Sequence, residues 1–307
     1  MSSKNGNGPV LVVGQNGQLA RCLRDFAMLR GVPMAMAGRP ELDLESGEGI
    51  DRVTATVDPS AIINVAAYTA VDAAEAQPGR AFGVNCAGAA LLANVAAGRA
   101  VPFVHVSTDY VFDGAKPSPY REDDATAPLN IYGSSKLAGE GAVLRVNPRA
   151  VVIRTSWVYS PYGTNFVRTM LRLAKAQPTV RVVCDQYGTP TSAADLARSI
   201  LAIVDQLPLA SGRDNAGIYH LAGHGETSWY GFAAAIFASL SRRGQRVPKL
   251  QAITTDDYPT AARRPRNSCL DSSKAERVFG VRLPAWRSSL EECLDHLEEV
   301  PKELRAC

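Results

Sequence analysis

A tyrosine and a lysine four positions apart, in Tyr132-Gly133-Ser134-Ser135-Lys136, share one face of a helix and can work as a proton-donating couple. A free phenol has a pKa of about 10 and yields protons poorly at neutral pH, so an ammonium that stabilises its ionised form makes it a usable acid. Reduction of a ketone calls for that kind of acid. With 10 tyrosines and seven lysines in 307 residues, the spacing arises by chance in about 0.2 of such chains. The surroundings of the pair must therefore decide its meaning.

Upstream, His105-Val106-Ser107-Thr108-Asp109-Tyr110-Val111-Phe112 ends an apolar run with two hydroxyls and a carboxylate. Alone, Ser107 or Thr108 reads as a turn cap. Beside Tyr132 and Lys136 they supply a hydroxyl that orients a carbonyl oxygen, with the phenol to protonate it and the ammonium to tune the phenol. His105, inside the apolar run, reads as a core residue. Nearer the start, Gly14-Gln15-Asn16-Gly17-Gln18-Leu19-Ala20 follows an apolar tetrapeptide and opens a helical pattern. A dinucleotide's pyrophosphate is held at such a turn by backbone N–H groups and the helix dipole, although glycine turns also join strands to helices without any ligand. The next apolar run ends in Gly38-Arg39, where an acidic residue would accept hydrogen bonds from an adenosine ribose and an arginine instead suits a 2′-phosphate. That favours NADPH and leaves NADH open; a surface arginine explains the residue equally well. Asp43, in Leu42-Asp43-Leu44, can reach an adenine or begin the next helix. Asn64-Val65-Ala66-Ala67-Tyr68-Thr69 closes the third run with small residues that let a flat ligand approach, or that simply pack tightly.

These segments need a scaffold that brings their ends together. Apolar runs at 10–13, 34–37, 61–66, 101–106 and 150–153 alternate with helical patterns at 18–29, 79–97 and 132–144, the signature of βαβ units and a parallel sheet. The predicted fold is α/β: a Rossmann-type doubly wound parallel sheet, which binds ligands at the carboxyl ends of its strands, with a smaller C-terminal substrate lobe. The dinucleotide-binding domain is placed at 9–155, with about 180–225 returning to it, and the lobe at 156–179 and 226–307. Helices are read at 165–176, 193–204, 228–240 and 288–299, a strand at 219–221 and an ordered loop at 259–271.

A chain that is 46% hydrophobic and 21% charged has material for one large core or two unequal ones. Its net charge of +3 is spread without a basic run, which gives no argument for nucleic acid or an anionic membrane. The opening residues 1–8 are polar and glycine-rich, and no apolar run reaches the roughly 18 residues of a membrane span, so a cytoplasmic location is expected. Cys22, Cys86, Cys184, Cys269, Cys293 and Cys307 make no ligand spacing and read as reduced thiols; His105, His220, His224 and His296 form no cluster.

Taken together, Gly17-Gln18-Leu19, Asn64 to Asp72, Ser107 to Phe112 and Tyr132 to Glu140 resemble the dTDP-4-dehydrorhamnose reductase family, a branch of the extended short-chain dehydrogenase/reductases. Arg154-Thr155-Ser156-Trp157-Val158-Tyr159, Asn165-Phe166, Asp185 to Thr191 and Arg264 to Ser268 extend the resemblance over nearly the whole chain. It implies NADPH-dependent reduction of the C4 ketone of a dTDP-4-keto-6-deoxy sugar to dTDP-L-rhamnose. It also implies Tyr132 as general acid, Lys136 as its tuner and nicotinamide-ribose ligand, and Thr108 as the third member. By the same resemblance Gly14, Asn16, Gly17, Gln18, Leu19, Arg39, Asp43, Leu44, Ala66, Ala67, Tyr68 and Thr69 line the cofactor. Asp109, Trp157, Asn165, Arg264 and Asn267 then fall on the substrate side, although Trp157 can equally be plain core. Some relatives hold Mg2+ at a dimer contact through glutamates. The first helix here offers Arg21-Cys22, which speaks against that metal and leaves a homodimer open. Two alternatives share the pattern: another nucleotide-sugar reductase or epimerase, and a non-catalytic regulatory subunit like that of methionine adenosyltransferase. The undamaged tyrosine–lysine pair argues against the second.

Overall fold

Strands β1 (Val10–Val13), β2 (Met34–Ala37), β3 (Ala61–Asn64), β4 (Phe103–Thr108) and β5 (Val151–Thr155) are short and begin with apolar residues, valine and isoleucine in most and methionine and alanine in β2. Such strands need cover on both faces. They form, with Gly217–His220, one six-stranded sheet in the order Gly217–His220, β5, β4, β3, β1, β2, parallel throughout. Alternation sends Val10, Val12, Ile63, Val104 and Ile153 to one face and Leu11, Val13, Ile62, Phe103 and Val152 to the other. The computed structural model describes residues 8–207 and 215–299. The opening stretch up to residue 7 and Cys307 lie outside the described residues.

Helix Gln18–Arg30 buries Leu19, Ala20, Leu23 and Ala27, spaced at three and four, and stops where Gly31 turns left-handed (φ 65) and donates its N–H to Ala27 O. Burying Leu23 completely contributes roughly 1.5–3 kcal/mol. With helix Ala193–Val204 and Ala275 and Phe279, it covers the first face. The second face is covered by Ile50, by Ala89, Leu92, Ala93 and Ala96, and by Val143 of helix Ile131–Val146. The strand order reverses beside β1, so the crevice between the carboxyl ends of β1 and β3 is where a doubly wound sheet holds its ligand.

The helix expected over 79–97 is composite: α-helical at Pro78–Phe82, a π segment at Gly83–Gly88, then α-helical at Ala89–Gly98. The span Pro78–Gly98 is, by length and composition, apolar enough to cross a bilayer, contrary to the sequence reading. Here its Ala81, Ala89, Leu92, Ala93 and Ala96 are fully buried within the protein.

A second core gathers Tyr159, Val167, Met170, Val180, Val182, Phe232, Ile236, Trp286, Leu290 and Leu294. It holds a parallel pair of strands, Thr179–Val183 and Lys249–Ile253, that pattern alone did not disclose. Residues 179–183 therefore belong with this core, whereas Ala193–Val204 and Gly217–His220 return to the large sheet. Cys22, Cys86, Cys184, Cys269 and Cys293 are free thiols.

Candidate active site

Gly14 leaves β1 with φ 116, and a Cβ there would meet Ala66 N at 2.8 Å. Only glycine lets the β1 and β3 ends approach so closely. Gly17 then caps helix Gln18–Arg30 through extended backbone with no side-chain hydrogen bond, which leaves first-turn N–H groups for an anion. The turn opens into a cavity of about 720 Å³ that runs across the ends of β1, β3, β4 and β5. One end is lined by Gly38, Arg39, Asp43, Leu44, Glu45 and Arg80. Arg39 is exposed, and its guanidinium has no hydrogen bond or ion pair among the described residues, while its carbonyl accepts from Gln15 Nε2 at 3.0 Å. Asp43 Oδ1 accepts from Glu45 N at 2.9 Å. Arg80 is held by Glu45, with Nε–Oε1 at 3.1 Å.

The middle is lined by Ala66, Ala67, Tyr68 and Thr69. This loop is fixed by the π segment: Asn85 Oδ1 accepts from Tyr68 N at 2.8 Å, and Asn85 Nδ2 donates to Tyr68 O at 3.1 Å and to Ser135 Oγ at 2.9 Å. A π insertion re-aims side chains inside a helix and recurs at functional sites; here it aims Asn85 at the loop and at the Tyr132 helix together.

At the sheet edge, Thr108, Asp109, Tyr110, Tyr132 and Lys136 line the cavity together. Asn130 starts their helix by accepting from Gly133 N at 2.8 Å. Tyr132 keeps partial exposure to the cavity. Burial among protein atoms nonetheless pushes the phenol up to about 12, opposed by the Thr108 hydroxyl and helped by the Asp109 charge. The group is thus a protonated acid at neutral pH. Lys136 is buried, which pulls its ammonium down to about 8 against the pull of Glu140, and Nζ donates to Val106 O at 2.6 Å. Burial pushes Asp109 up to about 6, with the Ser268 and Thr108 hydroxyls pulling the other way. Its Oδ1 accepts from Thr108 Oγ1 at 2.9 Å, and among the described residues Oδ2 has no partner that meets hydrogen-bond geometry. Thr108 is also the turn cap that its residue type suggested, accepting from Tyr110 N at 3.2 Å.

A buried ion pair underpins this edge. Arg154 Nη2 of β5 meets Glu140 Oε2 at 2.7 Å, both side chains 2% exposed, and Ser107 Oγ of β4 donates to Glu140 Oε1 at 2.5 Å. It ties together the helix and the two strands that carry the reactive groups. His105 accepts from Asn64 Nδ2 at Nδ1 (3.1 Å) and is held neutral by burial, a core residue.

The cavity gathers Gly14, Asn16, Gly17, Gln18, Leu19 and the other cofactor-side residues named from sequence, together with the substrate-side Trp157. Three substrate-side expectations lie outside its lining. Asn165 spends its amide on Gln18 Oε1 (2.8 Å) and Ser160 O (2.8 Å), and its carbonyl caps a helix at Arg168 N (3.1 Å). Arg264 is paired with Asp72 at 2.8 Å. Asn267 donates to Lys116 O at 2.7 Å and accepts from Cys269 N at 2.9 Å. Each polar group is satisfied within the fold, so these residues fasten segments together. Conversely, Tyr110, Arg80, Glu45 and Trp229 line the cavity without having been singled out. Among the described residues no group of three or more His, Cys, Asp or Glu could hold a metal ion.

The family described as the RmlD substrate binding domain matches residues 8–299. A dTDP-4-dehydrorhamnose reductase of Sinorhizobium fredii is 48% identical over 278 residues, covering 91% of this chain and 94% of its own. One from Aggregatibacter actinomycetemcomitans is 41% identical over 292 residues, covering 94% and 99%. Among solved structures, a dTDP-4-dehydrorhamnose reductase from Clostridium acetobutylicum aligns with a TM-score of 0.88 at 36% identity, over 94% of this chain and 99% of that one. The one from Bacillus anthracis, solved in complex with NADP, gives 0.87 at 33% identity with the same coverage.

Proposed function

This chain belongs to the dTDP-4-dehydrorhamnose reductase family, and from that premise we propose that it reduces the C4 ketone of dTDP-4-dehydro-β-L-rhamnose to dTDP-β-L-rhamnose with NADPH, the last step of dTDP-L-rhamnose synthesis. The observation that carries the reading is the convergence of Tyr132, Thr108, Lys136 and Asp109 on one end of a cavity whose other end has an open helix N-terminus and an unpaired arginine.

The residues fit a dinucleotide. The uncapped first turn after Gly17 suits a pyrophosphate, Arg39 a 2′-phosphate, and the small-residue loop 66–69 a nicotinamide ribose. NADPH, when bound, supplies the hydride that reduces the carbonyl carbon. Tyr132 holds the proton that must reach the carbonyl oxygen as negative charge builds there, and its high pKa keeps that proton in place until then. Thr108, which lines the cavity beside the phenol, orients the same oxygen. Lys136 stays charged below about pH 8 and lies one helical turn from Tyr132, where its ammonium favours the phenolate left after transfer. Asp109 keeps a free carboxylate oxygen to accept from a sugar hydroxyl. Trp157 bounds the sugar end.

Replacing Tyr132 by Phe removes the proton and keeps the ring. Turnover should fall by about 10²-fold or more with NADPH affinity nearly intact, measured by single-turnover kinetics and by titration of NADPH fluorescence. Unchanged turnover would refute the assignment.

A further inference from the structure

Trp157 has a neighbour pressed against each face of its indole. On one side lies Trp229, the first residue of helix Trp229–Arg242, with ring centroids 3.5 Å apart and planes 8° from parallel. Phe166 backs Trp229 at 4.6 Å between centroids. On the other side lies Gly188. A Cβ built there would sit 2.4 Å from Trp157 Cε2 and 2.7 Å from both atoms flanking it, Cζ2 and Nε1. A point nearer to Cε2 than to either neighbour, and equidistant from the two, lies above the ring and not beside its rim. It cannot share the face that Trp229 covers, because the 3.5 Å gap there would leave it overlapping Trp229, whose atoms are not among its nearest neighbours.

The backbone holds this arrangement in place. Trp157 sits at φ 47, a region that bulky residues rarely occupy. Ser156 Oγ donates to Thr189 O at 3.0 Å, and Thr191 N donates to Trp157 O at 3.2 Å. The tryptophan loop and the segment carrying Gly188 are thus fastened to each other, and both indoles line the cavity.

We propose that Gly188 and Trp229 are positioning residues that clamp the Trp157 indole between them, so that the sugar end of the cavity is bounded by an indole rim and not by an open aromatic face. The rim of an aromatic ring is its positive part. It suits the oxygen-bearing edge of a nucleotide-linked sugar, whereas a C–H face would seek the indole face that is already occupied. The kinetic arm of this proposal rests on the nucleotide-sugar reading above; the spectroscopic arm does not.

Stacked indoles whose long axes are twisted against each other produce an exciton couplet in far-ultraviolet circular dichroism, read on the protein without substrate. The wild type should show the couplet and keep it when saturated with dTDP-L-rhamnose. Trp229→Ala should abolish it. Gly188→Ala forces the indole to retreat by about 1 Å to regain ordinary contact, and displacements of that size cost up to about 10²-fold in kcat/KM. The KM for the keto sugar should therefore rise tenfold or more in Gly188→Ala and in Trp229→Ala, with NADPH affinity within about twofold of wild type. The flat ring of Trp229→Phe should recover part of the loss. A wild-type couplet that survives Trp229→Ala, loss of the couplet on binding sugar nucleotide, or Gly188→Ala with native KM would each overturn the clamp. Absence of sugar turnover in a wild type that shows the couplet would overturn the functional reading alone.

Discussion

Asp109 offers a test in which stability and activity move in opposite directions. Its carboxyl is 3% exposed, has one oxygen without a partner, and is pushed up to about 6 by burial. Because the folded pKa lies above the ordinary 3.8, the native state binds more protons than the unfolded state between those values. Stability must therefore fall as pH rises through that window. Keeping the group ionised costs about 3 kcal/mol once pH is well above the folded pKa. Asp109→Asn removes the titration. Whatever constant offset the new amide introduces, stability of the variant relative to wild type should climb by about 2 kcal/mol between about pH 4.5 and about pH 7.5. Urea unfolding of both proteins across that range measures the difference directly. The same variant should lose kcat/KM for the sugar, because the carboxylate no longer accepts from it. A stability difference that is flat with pH would refute the claim that a buried carboxylate with no cationic partner among the described residues is maintained at this site.

Other perturbations address separate parts of the account. The wild-type profile of kcat/KM against pH should be bell-shaped: it falls below about 6 as Asp109 takes up a proton and above about 8 as Lys136 loses one. Asp109→Asn should remove the acid limb, and an acid limb that persists in the variant would assign it elsewhere. Arg39→Ala should raise the KM for NADPH more than that for NADH; equal effects would refute a 2′-phosphate contact. Glu140→Ala strands the buried Arg154 guanidinium and takes the acceptor from Ser107, so urea unfolding should show a loss of about 3–5 kcal/mol. A loss below about 1 kcal/mol would mean that the pair is not what fastens the two strands to the helix.

The sheet was legible because β1 to β3 are almost wholly apolar and β4 and β5 begin with apolar residues before their polar carboxyl ends, and burial writes itself into sequence as Val-Leu-Val-Val or Ala-Ile-Ile-Asn. The strand pair of the second core was not. Thr-Val-Arg-Val-Val and Lys-Leu-Gln-Ala-Ile carry polar residues on an exposed side, and each finds its partner about 70 positions away. The π segment was hidden inside a helical pattern, since its six residues lie between two apolar α-helical stretches and carry no composition of their own. Its trace was the glycine pair Gly83 and Gly88 around Asn85. For the site, the residues at strand ends were found because topology dictates where those ends go. Asn165, Arg264 and Asn267 were read as ligand contacts because their side chains can bind sugars. The structure shows the same hydrogen-bonding capacity consumed by Gln18, Asp72 and Lys116, and no pattern in one sequence separates the two uses. Trp229 was missed for the complementary reason: it opens an apolar helix, where an aromatic reads as core, and only the fold brings it against Trp157.

Incubation of the purified protein with dTDP-4-dehydro-β-L-rhamnose and NADPH, with product identification by nuclear magnetic resonance, tests the central claim most directly. Oxidation of one NADPH for each dTDP-β-L-rhamnose formed is the predicted result. Unchanged keto sugar with no NADPH consumed, or a product reduced at any carbon other than C4, would contradict it.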